Sequence, residues 1–194
     1  MELIKKLRNQ TGAGFMDCKK ALEEVKDNFD NAVDYLRKKG IAKAAAKAER
    51  SSDEGLVESY IHLNGRIGVL VEVNCETDFV ALTDEFKTLA HDIAMHIAAS
   101  NPICVTRDEV DPTLIEREKE VYLEQLKQEG KPANMLEKIV EGKVEKYYQE
   151  ICLLEQPFIK NPDKTINDLI IDAVAKIGEN IQIKRFSRFV LGEK

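Results

Sequence analysis

Apolar residues recur along this chain in two rhythms, and the change from one to the other divides it. In the first fifty or so positions the spacing is helical. Leu3, Ile4 and Leu7 form a short stripe that Thr11-Gly-Ala-Gly14 breaks, because glycine readily takes the positive φ of a turn. Cys18, Ala21, Leu22 and Val25, with Phe29 continuing the face, predict a second helix. Ala32, Val33 and Leu36 predict a third, with Asp30 as its N-cap and Gly40 as its stop. In the alanine-rich segment that follows, Lys43, Lys47 and Arg50 share one helical face, and Ser51 to Gly55 read as a linker. Three short helices make only a marginal core, so this module is expected to lean on something else.

Beyond the linker the period drops to two. LVESYIH (Leu56 to His62) leads into Asn64-Gly65, the dipeptide best suited to a type I′ hairpin turn. The returning strand sets Ile67, Val69, Val71, Val73 and Cys75 on one face and Gly68, Leu70, Glu72 and Asn74 on the other, which is expected to be only partly buried. Helical spacing then returns. Phe86, Leu89, Ala90, Ile93, Ala94, Ile97 and Ala98 predict a core helix over 84–100, ended by Asn101-Pro102. Asp111-Pro112 opens a charged helix, Gly130-Lys131-Pro132 turns the chain, and Leu136, Ile139, Val140, Val144 and Tyr147 predict its antiparallel partner. LEQPFIKNPDK reads as a loop or extended stretch. Thr165 and Asp168 resemble a capping box before a helix closed by Gly178. The last strand sets Ile181, Ile183, Phe189 and Leu191 on one side. The fold class is therefore α+β: a three-helix domain over 1–52, then a core over 53–194 with about three antiparallel strands and helices. A helical hairpin at about 112–148 is inserted in that core and projects from it.

Composition narrows what such a fold can do. With 43% hydrophobic and 33% charged residues the chain reads as soluble and globular. No apolar run approaches the roughly 20 residues of a membrane span, and MELIKKLRNQ is too polar for a signal peptide. The net charge of −6 argues against general nucleic-acid binding. Cys18, Cys75, Cys104 and Cys152 are widely spaced, and His62, His91 and His96 form no ligand motif with them. The expectation is a reduced, cytoplasmic protein with neither metal nor cofactor.

Candidate chemistry is sparse. Cys75, His96 and Asp78 supply the residue types of a thiol nucleophile, a base and an orienting acid. Cys75, however, shares its strand face with the apolar set, where a free cysteine packs as a small hydrophobe. His91 and His96 read as polar or capping residues on a helix flank. TGAG lacks the Gly-x-x-x-x-Gly-Lys-Ser/Thr spacing of a phosphate loop. Lys19, Lys20, Arg37, Lys38 and Lys39 form a solvated surface or meet an acidic partner face. The stretch VNCETDFV (Val73 to Val80) stands out because Phe79 sits beside Asp78 at the end of a buried strand, either as core or as a probe for another molecule. The pattern favours a protein that binds another macromolecule.

Two segments, LRNQTGAGFMDCKKALEE (Leu7 to Glu24) and GRIGVLVEVNCETDFVA (Gly65 to Ala81), closely resemble the signatures of bacterial elongation factor Ts. HDIAMHIAASNP, EGKPANMLEKIVEGKVEKYY, QPFIKNPDKTINDL and IGENIQIKRFSRFVLGE extend that resemblance in order along essentially the whole chain. The resemblance implies a ubiquitin-associated-type first domain, a coiled-coil hairpin, and nucleotide exchange on elongation factor Tu, in its GDP-bound and nucleotide-free states. It implies that Thr77, Asp78, Phe79 and Val80 form the tip that disturbs the magnesium and phosphate site of Tu, which makes Phe79 a probe. Leu7, Arg8, Phe15 and Met16, with Lys19, correspond to the docking surface of the helical module. Phe15 departs from the methionine usual there. Gly68 and His96 correspond to a second contact region in the core. Longer members carry two related core subdomains where this chain has one, which implies a homodimer. A ubiquitin-associated adaptor without exchange activity is the alternative.

Overall fold

The structure is a computed structural model that describes residues 1–193. Its helices are α1 (Glu2–Thr11), α2 (Phe15–Glu24), α3 (Phe29–Ala45), α4 (Asp78–Ala81), α5 (Asp84–Ser100), α6 (Pro112–Gln128), α7 (Ala133–Ile151) and α8 (Ile166–Ile177). Its strands are β1 (Glu54–His62), β2 (Ile67–Cys75), β3 (Pro157–Phe158), β4 (Asn161–Thr165) and β5 (Gln182–Val190). β1, β2 and β5 form a three-stranded sheet in that order, and β3 pairs with β4 as a second, two-stranded one. The fold is α+β, as the change of hydrophobic period predicts. The β3–β4 pair was not foreseen, because two prolines in its eleven-residue segment hide a strand signal.

The chain divides into two compact units. The first holds Met1–Glu58, Val71–Asp92 and Asp168–Lys184; the second holds Ser59–Leu70, Ile93–Asn167 and the chain from Arg185 on. In the first unit, Leu7, Cys18, Ala21, Leu22 and Ala32 form the core of the helical module, with Val25, Phe29, Val33 and Leu36 against it. Gly12 ends α1 at φ 68°, and the Thr11 hydroxyl donates to the Leu7 carbonyl at 2.7 Å. Two details of α3 differ from expectation. Its N-cap is Asn28, whose side chain accepts from the Asn31 N–H at 3.0 Å, so Asp30 lies inside the first turn. Gly40 does not stop the helix. It is buried within α3, and a Cβ there would lie 3.6 Å from Ala175 Cβ and 3.8 Å from Ile171 Cγ2 of α8. The module thus leans on α8, which supplies the extra apolar surface that three short helices lack.

In the second unit, Asn64 and Gly65 take the expected left-handed turn positions at φ 54° and 88°, and Leu63 joins them at φ 49°. Ile115, Leu126, Leu136, Val140 and Val144 make the seam between α6 and α7. Asp111 caps α6 by accepting from the Thr113 N–H at 2.9 Å, with Pro112 at the first helical position. Cys104, Ile151 and Cys152 close the base of this hairpin.

β2 buries Val69, Val71, Val73 and Cys75 as its alternation predicts, and its other face is at most partly buried. β5 does not keep one phase. Ile181 and Ile183 are buried, but the half-buried set further on is Phe186, Arg188 and Val190. A one-residue slip of phase exchanges the two faces of a strand. Phe189 and Leu191, expected beside Ile183, are therefore exposed.

Candidate functional site

Alternation carries β2 to Cys75 with its inward face dry, so the chain leaves the sheet at a well-defined point. Thr77 then caps α4, its hydroxyl oxygen accepting from the Val80 N–H at 3.4 Å. A cap at Thr77 leaves Asp78 and Phe79 on the first turn of a four-residue helix. That turn is too short to bury both its faces. Ala81 is buried, Val80 is half-buried, and Asp78 is exposed. The Phe79 ring is 78% exposed, and Leu82 beside it is 66% exposed. Seven positions along, Phe86 is wholly buried in α5. Of these two phenylalanines one is core and the other is displayed.

The backbone under the tip is held by the segment that follows α8. The Glu179 carboxylate accepts the N–H of Glu76 at 3.1 Å and of Thr77 at 3.0 Å through Oε2, and the Thr77 hydroxyl at 2.7 Å through Oε1. In return the Glu76 carboxylate accepts the Asn180 N–H at 2.6 Å. Arg50 approaches the same Glu76 carboxylate at 3.5 Å. The buried Asn180 amide donates to the carbonyls of Arg50 at 2.7 Å and Ala48 at 3.4 Å, at the end of the helical module. Sequence reasoning missed Glu179 and Asn180. They lie more than a hundred positions from the tip, and IGEN carries no spacing that points to it.

The helical module presents Arg8, Phe15, Met16 and Lys19 on its surface, with Met16 58% exposed. Lys19 pairs with Glu23 at 3.7 Å. Leu7 differs. It is wholly buried in the module's core, so it shapes this surface from within and offers a partner no side-chain area. Asp17 ties α2 to α3 by accepting from Lys39 at 2.9 Å and Lys43 at 3.1 Å, and these bonds hold its carboxyl below the usual range.

Gly68 and His96 belong to the second unit. Gly68 is half-buried, with Ile61 Cδ1 3.4 Å from where its Cβ would stand. His96 is wholly buried. Its Nε2 meets Gln156 Oε1 at 2.9 Å, and its Nδ1 lies 3.4 Å from the Ile159 N–H and 3.5 Å from the Ser100 hydroxyl. Gln156 in turn donates to the Glu150 carbonyl at 2.6 Å, which leaves its carbonyl oxygen to accept from His96. Burial pushes the imidazole pKa down, with the Gln156 bond opposing it. His96 is a satisfied core residue.

The thiol-enzyme possibility ends on the same geometry. His96 gives both ring nitrogens to Gln156, Ile159 and Ser100, while the Cys75 thiol donates to the Thr77 carbonyl at 3.1 Å. Burial raises the Cys75 pKa, which disfavours thiolate. Among the described residues no group of three or more His, Cys, Asp or Glu could hold a metal ion, and no helix is long and apolar enough to cross a membrane.

Comparison with known proteins gives one consistent result. The family described as elongation factor TS matches residues 6–193. A protein named elongation factor Ts from Carboxydothermus hydrogenoformans is 60% identical over 192 residues, covering 99% of this chain and 88% of that protein. One of the same name from Fervidobacterium nodosum is 59% identical over 192 residues, covering 99% and 98%. Another from Desulfosudis oleivorans is 56% identical over 191 residues, covering 98% of this chain and 96% of its own length.

Proposed function

Since this chain belongs to the elongation factor Ts family, we propose that it promotes GDP release from elongation factor Tu by presenting Asp78 and Phe79 to that GTPase's magnesium and phosphate site. The observation that carries this reading is an aromatic ring held 78% exposed on a backbone that is itself pinned. An exposed phenylalanine on so short a helix has no folding role that accounts for it.

The mechanism is differential binding. Burying a full aromatic side chain in a partner stabilises the complex by roughly 1.5–3 kcal/mol. Each 1.4 kcal/mol or so of difference between two states shifts their equilibrium about tenfold. Magnesium demands near-octahedral geometry, so a wedge that displaces its ligands slightly is disproportionately costly to bound nucleotide. Phe79 supplies the volume. Asp78, an exposed carboxylate, disfavours the phosphate-occupied state, and Thr77 and Val80 complete the tip. Linkage makes the effect mutual: a factor that weakens nucleotide is weakened by nucleotide to the same degree. The protein works by binding and catalyses no covalent step of its own. It meets Tu in GDP-bound and nucleotide-free forms in the cytoplasm.

Arg8, Phe15, Met16 and Lys19 of the 1–52 module dock on the GTPase, with Leu7 supporting them, and residues 53–194 carry the tip and the projecting hairpin. Gly68 and His96 belong to a secondary contact region of the core, His96 as a buried supporting residue. Exposed Ile61, Leu63, Leu70, Phe189 and Leu191 support pairing of two chains as a homodimer. Sedimentation analysis tests this, with Phe189→Asp expected to shift a dimer to monomer; a monomeric parent protein sinks it. An adaptor would need only the first fifty or so residues, whereas the family match runs to residue 193.

Stopped-flow release of fluorescent GDP from purified Tu tests the main proposal. Addition of the protein is expected to accelerate release strongly, and Phe79→Ala is expected to remove most of that acceleration while the protein remains folded. Equal rates for the two proteins would refute the wedge.

A further inference from the structure

The reciprocal bonding between residues 76–77 and 179–180 is more than a loop needs. A two-residue connection from a strand to a short helix is ordinarily served by water and a cap. Here one carboxylate takes two backbone N–H groups and a hydroxyl, and a second carboxylate returns the bond from the other segment. The location makes this costlier still. Glu179 lies just past the C-terminus of α8, after Gly178 at φ 93°, where the helix dipole disfavours a negative charge. Lys47 offsets part of that by donating to the Gly178 carbonyl. A residue placed against its local electrostatics points to a demand elsewhere.

We propose that Glu179 is a positioning residue for exchange, orienting Phe79 by fixing the backbone at Glu76 and Thr77. This rests on the reading of Phe79 as the wedge. The route is short. Thr77 donates its hydroxyl proton to Glu179 and with the same oxygen accepts from the Val80 N–H. The carboxylate therefore sets the rotamer of the cap, and the cap sets the first turn of α4, which carries the ring. The two N–H bonds fix the peptide planes immediately before the helix. Bonds to an ionised acceptor are shorter and stronger than neutral ones. A wedge must deliver its volume where the partner's ligands are, and small misplacements are costly.

Asn180 extends the same logic to the helical module. Its side chain holds the Ala48 and Arg50 carbonyls while its N–H meets Glu76, which Arg50 also approaches. The docking module and the tip thus share one polar joint, with Glu179 on the tip side of it.

The test measures labelled-GDP release from Tu against concentration of factor, separating the maximal rate from the half-saturating concentration. Glu179→Ala is expected to lower the maximal rate about tenfold or more, with half-saturation within about threefold of the parent. Glu179→Gln is expected to recover most of the rate, because its carbonyl accepts the two N–H groups and its amide donates to the Thr77 oxygen. Thr77→Val, which keeps the shape and loses the hydroxyl, is expected to fall between them, and it carries the test if Glu179→Ala proves unstable. Amide exchange at Glu76 and Thr77 is expected to quicken in the alanine variant. A normal maximal rate for Glu179→Ala beside a slow Phe79→Ala overturns the positioning role and leaves the wedge standing. A normal rate for Phe79→Ala removes both. Equal loss in the alanine and glutamine variants, through raised half-saturation alone, reduces Glu179 to a structural residue and overturns the inference.

Discussion

The tip and the helical hairpin belong to different units and are gripped by different chemistry. Under the tip, a carboxylate holds backbone N–H groups, so peptide planes are fixed and with them the direction of the next side chain. At the hairpin base a side chain does the holding. Arg107 donates to Glu145 at 2.9 and 2.7 Å and to Glu155, and its guanidinium lies 4.5 Å from the Tyr148 ring centroid. The bonds to Glu155 and Glu145 keep the Arg107 pKa raised. A backbone clamp suits an element proposed to aim one ring. A side-chain latch suits a long hairpin that already packs along its own seam of Ile115, Leu126, Leu136, Val140 and Val144. Precision is spent where few atoms do the work.

The largest effect that would break this contrast is at Phe79. Phe79→Ala is expected to slow maximal GDP release by about 10- to 100-fold, following the roughly 1.5–3 kcal/mol of ring burial. Its melting temperature is expected to stay within about 2 °C of the parent, since the ring is 78% exposed in its own chain. Scanning calorimetry beside stopped-flow kinetics checks both halves.

Arg107→Ala sharpens the contrast from the other side. Partly exposed ion pairs contribute about 0.2–1 kcal/mol each, so the loss of two is expected to cost about 0.4–2 kcal/mol in urea unfolding. Maximal release is expected to change less than about threefold. A larger kinetic loss would mean that the hairpin aims something too.

Acid should act on the second unit through His96. Burial depresses the His96 pKa below its usual 6.5, so the unfolded chain binds this proton more readily than the folded one. The contribution of neutral His96 is whole above pH 6.5 and is lost as pH falls below it. His96→Gln is expected to flatten the stability profile between about pH 6.5 and 5, read by thermal melts across that range. A slope unchanged in the variant would assign it to other groups.

Gly40 gives the smallest effect. Alanine there would meet Ala175 and Ile171 at ordinary contact distance and would favour helix, so Gly40→Ala is expected to stabilise by about 0.5–1 kcal/mol. Gly40→Leu, which cannot fit, is expected to destabilise. Thermal melts of the two variants decide it.

Much of this architecture was legible in the sequence. Strict alternation in β2, the seven-residue stripe of α5 and the proline and glycine bracketing of the hairpin are local signals, and each element formed where its period predicts. The signature residues led to Asp78 and Phe79, whose exposure the resemblance implies. Failures occurred where tertiary packing overrides a local sign. Gly40 looks like a helix stop because glycine usually ends helices, but α8 makes a buried position of it. Asp30 and Asn28 are both good caps by composition, and only the backbone path chooses. The phase slip in β5 moves Phe189 and Leu191 to the open face with no marker in the residues themselves. Glu179 was unreadable for a different reason. Its partners are 102 and 103 positions away, and a lone glutamate after a glycine resembles any surface acid.

The burial of Gly40 against α8 carries a last consequence. Flexible tethering would make an anchor and its probe find their sites in two separate searches, each with its own loss of freedom. Here α3 lies on the helix whose end leads directly into Glu179 and Asn180, so much of that loss is met when the chain folds. Encounter with the GTPase then costs little further ordering, and leaving it releases little. A rigid link between the two therefore adds to affinity without adding a single contact.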